Sequence, residues 1–123
     1  MLFDKCMTET QAQVYLADRA YDQGITVTDL LEMTPSSVSD CPIESATFWQ
    51  QRDYSHIIPV STHPHLADDP NNAMPEDPSV NRARGAEVMT VEEQMTASLD
   101  NEILAMEIDI THTSDMEVLT TWI

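Results

Sequence analysis

Glycine is nearly missing from this chain: Gly24 and Gly85 are the only two in 123 residues. Phosphate-binding loops, nucleophile elbows and many catalytic loops need glycine where the backbone turns with positive φ or closely approaches a ligand. No Gly-x-Ser-x-Gly occurs, so nucleotide-dependent and hydrolase-type chemistry is not expected. Cysteine is scarce too. Cys6 and Cys41 make no disulfide framework, and both are expected as reduced thiols. Positive charge is the third shortage, with 5 Lys and Arg against 22 Asp and Glu and a formal net charge of −17. Counterion release from nucleic acid requires clustered cations, so direct nucleic-acid binding is not expected. No apolar run approaches the roughly 18 residues of a membrane span, and no membrane association is expected. Met1-Leu2-Phe3-Asp4-Lys5 lacks a basic segment followed by an apolar stretch. A secretory signal is therefore not expected, and the protein should be cytoplasmic or held within an assembled particle.

Leu, Ile, Val and Phe number 26, close to the level at which strongly charged chains cease to fold alone. One structural unit is the ceiling. Within it the charge is uneven. Residues 1–54 carry a net −6, residues 55–86 a net −2, and residues 87–123 a net −9 with no Lys or Arg. Such repulsion suppresses self-association and makes the last third attractive to a basic partner.

Mainly α structure is predicted, in three zones. The first, 1–54, reads as a helical module. Thr8 or Thr10 caps a helix to about Asp22, with Val14, Ala17 and Tyr21 on one side. Gly24 fits the left-handed position after it. Thr28 caps a short second helix stopped by Pro35, and Ser36–Asp40 reads as a turn. A third helix opens at Ser39 or Asp40 with Pro42 in its first turn. The arrangement around Gly24 superficially resembles half of a helix-turn-helix. Its second helix, however, offers Asp29 and Glu32 where a DNA reader offers Arg, Lys, Asn or Gln.

The second zone, 55–86, contains Pro59, Pro64, Pro70, Pro75 and Pro78, which forbid a long helix and interrupt a central strand. It is expected to be an extended, irregular arm. Ordering some thirty residues costs on the order of 30–60 kcal/mol in backbone entropy. A neighbouring chain is expected to offset that cost.

The third zone, 87–123, holds the clearest periodicity. Val88, Val91, Met95, Leu99, Ile103, Met106 and Ile110 follow at helical spacing, after a capping box at Thr90 and Glu93. An amphipathic helix is predicted near residues 90–105. From Met106 the alternation of apolar and polar residues predicts a short strand over 106–112. Ser114 and Glu117 form a weaker capping box for a short terminal helix.

His63, His65, Asp68 and Asp69 are the one cluster of metal-ligand types along the chain, with His56 and His112 as remote contributors. The intervening prolines favour an exposed, partner-facing arm, so no metal and no cofactor are expected. Cys41 precedes a helix start, where the dipole should lower its pKa, yet no motif surrounds it and no catalytic residue is assigned. Arg82 and Arg84 should pair locally with Glu87 or the acidic third zone. Met33, Met74, Met89, Met95, Met106 and Met116 serve either as core filling or as an adaptable contact surface.

The function that fits is non-enzymatic: a structural or assembly protein binding other protein subunits in a larger complex, such as a phage-like particle. Phe48, Trp49, Met95, Leu99, Ile103, Met106 and Trp122 are the expected contact residues. The alternative is an acidic inhibitor or nucleic-acid mimic. It would present Glu92, Glu93, Asp100, Glu102 and Glu107 to the basic cleft of a host protein, from the side of the helix opposite its methionines. A third reading makes the acidity an adaptation to a salty cytoplasm.

Overall fold

The computed structural model describes the backbone of residues 7–122 and the side chains of residues 7–113. The chain is 64% helical, with six α-helices and one two-stranded sheet among these residues.

Helix α1 (Glu9–Asp22) opens on Thr8, whose hydroxyl accepts the Gln11 N–H while the Gln11 side chain accepts the Thr8 N–H. This reciprocal cap pairs two amides that a helix start leaves open. At its other end Gly24 adopts φ 70° and donates to the Tyr21 carbonyl, and Ile25 donates back to Ala20. That is the left-handed helix stop expected at Gly24. The positive φ is what favours glycine there, and a Cβ would also displace the exposed Asp68 carboxylate, whose Oδ1 would lie 2.6 Å away. Helix α2 (Val27–Glu32) starts earlier than expected: Thr26, not Thr28, caps it by pairing with Asp29. The Ser36–Ser39 stretch forms a single turn, α3, and Cys41 precedes α4 (Pro42–Gln50) with Pro42 as its first residue.

Helix α4 is the centre of the fold. Residues Glu44 to Trp49 are all buried, and α1, α3 and α6 (Val91–Trp122) pack around it. Helix α1 meets it through Ala12, Leu16 and Ala20, while Val14, Ala17 and Tyr21 face solvent. Both sets satisfy helical periodicity. The small alanines win because they let α1 approach a helix already carrying Phe48 and Trp49. These two rings meet edge to face with centroids 5.7 Å apart. The Trp49 indole N–H donates to the Thr34 hydroxyl at 2.9 Å, so its polar edge is satisfied within the core. Arg19 caps the far end of α4, donating to the Trp49 carbonyl at 2.8 Å and to the Arg52 carbonyl at 3.2 Å. A cation at that end also complements the helix dipole.

The proline-rich middle is not an extended arm. Strand β1 (Asp53–His56) pairs antiparallel with β2 (Ala73–Glu76), setting Tyr54 opposite Pro75. Two 3-10 turns lie between them, and α5 (Pro78–Arg84) follows. Pro64, Pro70 and Pro78 each begin a short helix, where the missing N–H has no partner to lose. Pro75 lies in a two-stranded sheet in which both strands are edges. Asp69 and Asp77 cap the helical turns that follow them. Asn72 exchanges two side-chain hydrogen bonds with the Ile58 backbone, at 2.9 and 3.0 Å. The segment folds on itself through its own polar side chains.

Helix α6 opens with the predicted Thr90 and Glu93 exchange. No strand forms over 106–112, and the backbone stays helical through 114–122, past the second expected cap. The alternation was ambiguous: Ile108 reaches the core, while Met106 and Ile110 lie on the opposite side of the helix.

A buried ion pair joins the small sheet to α5 and α6. The side chains of Arg84 and Glu76 are 5% and 2% exposed and bonded through both guanidinium amino groups. Arg84 also donates to Glu93 at 2.7 Å, and Ser55 donates to Glu76 at 3.0 Å. Breaking such a pair leaves a buried charge without a partner. Arg84→Met should therefore lower the unfolding free energy by about 3–5 kcal/mol, with Arg84→Met/Glu76→Leu recovering most of the loss. Urea unfolding of the three proteins measures both effects.

Candidate functional site

Polar anchors fix the rotation of α6. Near its start Glu93 is held by Arg84, and one face further on Asn101 donates to the Pro75 carbonyl at 2.7 Å. Arg52 donates to Asp100 at 2.6 Å and to Asn101 at 3.3 Å. Near residue 112, His112 meets Glu44 at 2.7 Å. With these contacts made, Ala97, Asn101, Leu104, Ala105 and Ile108 face inward.

The predicted apolar stripe then faces out. Val88, Val91, Met95, Leu99, Ile103, Met106 and Ile110 are each between 50% and 70% exposed. From Val91 to Ile110 the stripe runs about 29 Å at 1.5 Å per residue. Of the methionines, Met89 is buried, Met33 and Met74 are half-buried, and Met95 and Met106 belong to the outward face. At 100° per residue the acids flank this stripe. Glu102 and Asp109 lie along one side and Asp100 and Glu107 along the other, with Glu92 at its start. The expected segregation of acids opposite the methionines is not what forms.

Two predicted contact residues, Phe48 and Trp49, are fully buried and belong to the core. The Trp122, Met116 and Cys6 side chains lie outside those described. Met95, Leu99, Ile103 and Met106 are brought together on one surface. Of the cations, Arg19, Arg52 and Arg84 serve internal contacts, and Arg82 stands 3.5 Å from Asp53. Arg84 thus pairs with the acidic zone as expected, while Arg82 turns to β1. Among the described residues no helix is long and apolar enough to cross a membrane.

A second feature lies where α6 passes the first turn of α4. Cys41 Sγ is 3.9 Å from His112 Nδ1, and the same nitrogen is 2.7 Å from Glu44 Oε2. Burial pushes the Cys41 thiol up, outweighing the lowering expected from its place before a helix. Burial raises the Glu44 carboxyl as well, opposed by its bond to His112 and reinforced by Asp109. A nucleophile–base–acid relay needs the two ring nitrogens of histidine to face different partners. Here Nδ1 faces both, so the arrangement does not make a catalytic triad.

The cluster was not legible along the chain, because 68 positions separate Glu44 from His112. The cluster that was legible does not assemble comparably. His63 and His65 are exposed with ring centroids 5.8 Å apart; Asp68 lies against Gly24, and Asp69 caps a turn. Between α5 and α6 there is also a groove of about 480 Å³ with Arg84, Glu76, Glu93 and Asp100 among its walls. Its guanidinium is already bonded to two carboxylates.

Comparison with known protein families, with curated proteins and with solved structures finds none that matches this chain.

Arg84, helped by the Thr90 amide, holds the Glu93 carboxyl at about 2, below its ordinary 4.5. A depressed carboxyl contributes stability that is fully present above the unfolded value and is lost as pH falls toward the folded one. The Glu93 side chain should therefore remain ionised at about pH 3.5 in an NMR titration. A midpoint near that ordinary 4.5 would show that the contact with Arg84 does not persist in solution.

Proposed function

We infer that this chain is a non-enzymatic assembly protein that binds neighbouring protein subunits through the outward face of α6. One observation carries the reading: an apolar stripe about 29 Å long, exposed on a helix whose opposite face, among the described residues, packs into the protein through Ala97, Asn101, Leu104, Ala105 and Ile108. Soluble monomers rarely leave contiguous apolar patches of this kind uncovered. Met95 and Met106 give the stripe adaptable thioethers, and Leu99 and Ile103 give it branched anchors between them. Carboxylates on both flanks select the partner's chemistry, an amphipathic surface with an apolar seam between Lys or Arg residues. They also oppose pairing with a second copy, since like charges would meet along both edges. A large assembly such as a phage-like particle would supply such a subunit.

The alternative, an acidic inhibitor seated in a basic cleft, is favoured by the same flanking carboxylates. A mimic of nucleic acid relies on charge, whereas this surface carries an apolar seam between its charges. Salt separates the two readings, because screening weakens exposed charge pairs and leaves apolar burial intact.

The test is affinity capture from the native source at low and high salt, using the wild-type chain and a Leu99→Glu/Ile103→Glu variant. Both positions are exposed, so the variant should keep the wild-type circular dichroism and lose little stability. A partner retained by wild type at high salt and lost by the variant is the expected result. A partner indifferent to the variant and released by salt would replace this reading with the inhibitor.

A further inference from the structure

Helices α4 and α6 bring three metal-type side chains to one place. Cys41 and Glu44 come from the start of α4 and His112 from α6. A thiol, a carboxylate oxygen and an imidazole nitrogen from these residues lie within 4.8 Å of one another. We propose that Cys41, Glu44 and His112 bind a zinc ion that ties α6 to the head of α4.

Four features of the cluster point to zinc. The first is an unpartnered atom. Glu44 is 6% exposed, yet its Oε1 is buried and has no hydrogen-bond partner among the described residues. Leaving a charged acceptor unpaired is costly, and a cation removes the cost. The second is the histidine. A relay would use both ring nitrogens, but Nδ1 alone meets thiol and carboxylate, as it must when three donors converge on one point. The third is geometry. Tetrahedral zinc with ordinary bond lengths sets sulfur and nitrogen about 3.6 Å apart and nitrogen and oxygen about 3.4 Å apart. The present separations, 3.9 Å to Sγ and 2.7 Å to Oε2, differ from these by less than the reach of a side-chain adjustment, and a carboxylate turned to share the ion would also give Oε1 a partner. The fourth is donor chemistry. Thiolate and imidazole favour zinc over magnesium or calcium, and a divalent ion neutralises a thiolate beside a carboxylate.

Such an ion would clamp α6 one turn beyond Ile108, the last core residue of its described part. Zinc would therefore stiffen the helix that presents the apolar stripe, but the site does not depend on that stripe having a partner.

Twenty-two acids will hold divalent ions diffusely, so the readout must report the thiolate itself. Cobalt(II) titrated into the full chain should saturate at one ion per chain. It should give a near-ultraviolet thiolate-to-cobalt band with strong visible absorption, and zinc should displace both. Cys41→Ser and His112→Gln should each abolish the band, while Cys6→Ser keeps it. Zinc should raise the thermal midpoint of the wild type and leave that of His112→Gln unchanged, which serves if Cys41→Ser folds poorly. Absence of the band at stoichiometric cobalt, or a band lost with Cys6 and not with Cys41, would overturn the assignment.

Discussion

Arg84 is the residue on which the second half of the fold depends. It leaves the end of α5, enters the protein, and bonds to Glu76 on β2 and Glu93 on α6. Glu76 in turn accepts from Ser55 on β1. Four elements are thereby joined through one guanidinium and the Glu76 carboxylate it holds. A buried ion pair is weak evidence of stability, since desolvation offsets most of its attraction, but losing either partner leaves a buried charge alone. The arrangement of β1, β2, α5 and α6 pairs both charges.

A chain with five cations cannot do this many times. Arg19 caps α4 and Arg52 bonds to α6, so the three arginines that reach inside are all structural. The surface is left almost wholly to carboxylates. Acidity on the outside and scarce arginines on the inside are two aspects of one composition. The polar anchors also decide which side of α6 is buried. Glu93, Asn101 and His112 face their partners, and the richest apolar stripe in the chain consequently faces away.

Local signals were legible in the sequence, and non-local ones were not. Thr8, Gly24 and Thr90 act on residues within four positions of themselves, and each stands where its spacing placed it. The Thr26 cap carried the same kind of signal, with Asp29 three residues on, but Thr28 beside it obscured the start. Periodicity identified the α6 stripe and could not say which way it faces. That depends on Arg52 reaching Asn101 across 49 positions and on Asn101 reaching Pro75 across 26. The prolines misled for a related reason. Proline forbids helix interiors but not helix starts, and Pro64, Pro70 and Pro78 are starts. Cys41, Glu44 and His112 meet only through the packing of α6 on α4, and no spacing along the chain encodes that meeting.

The shape of the exposed stripe narrows what it can meet. Within α6, from Val91 to Ile110, its residues recur on average about every 3.8 positions, longer than the 3.6 of an α-helix and the 3.5 of a left-handed coiled coil. The stripe therefore drifts around α6 in the sense opposite to a left-handed coiled-coil seam. Such a seam does not favour extended left-handed wrapping around a second copy. Charge points the same way. Asp100 and Glu107 on one edge, and Glu102 and Asp109 on the other, would face their own kind across a homodimer. Opposite the basic amphipathic surface proposed as its partner, the same residues would align it, and burial of Met95, Leu99, Ile103 and Met106 would supply most of the attraction. Geometry and charge thus support the occupant proposed for this face, another protein with the opposite charge on its margins.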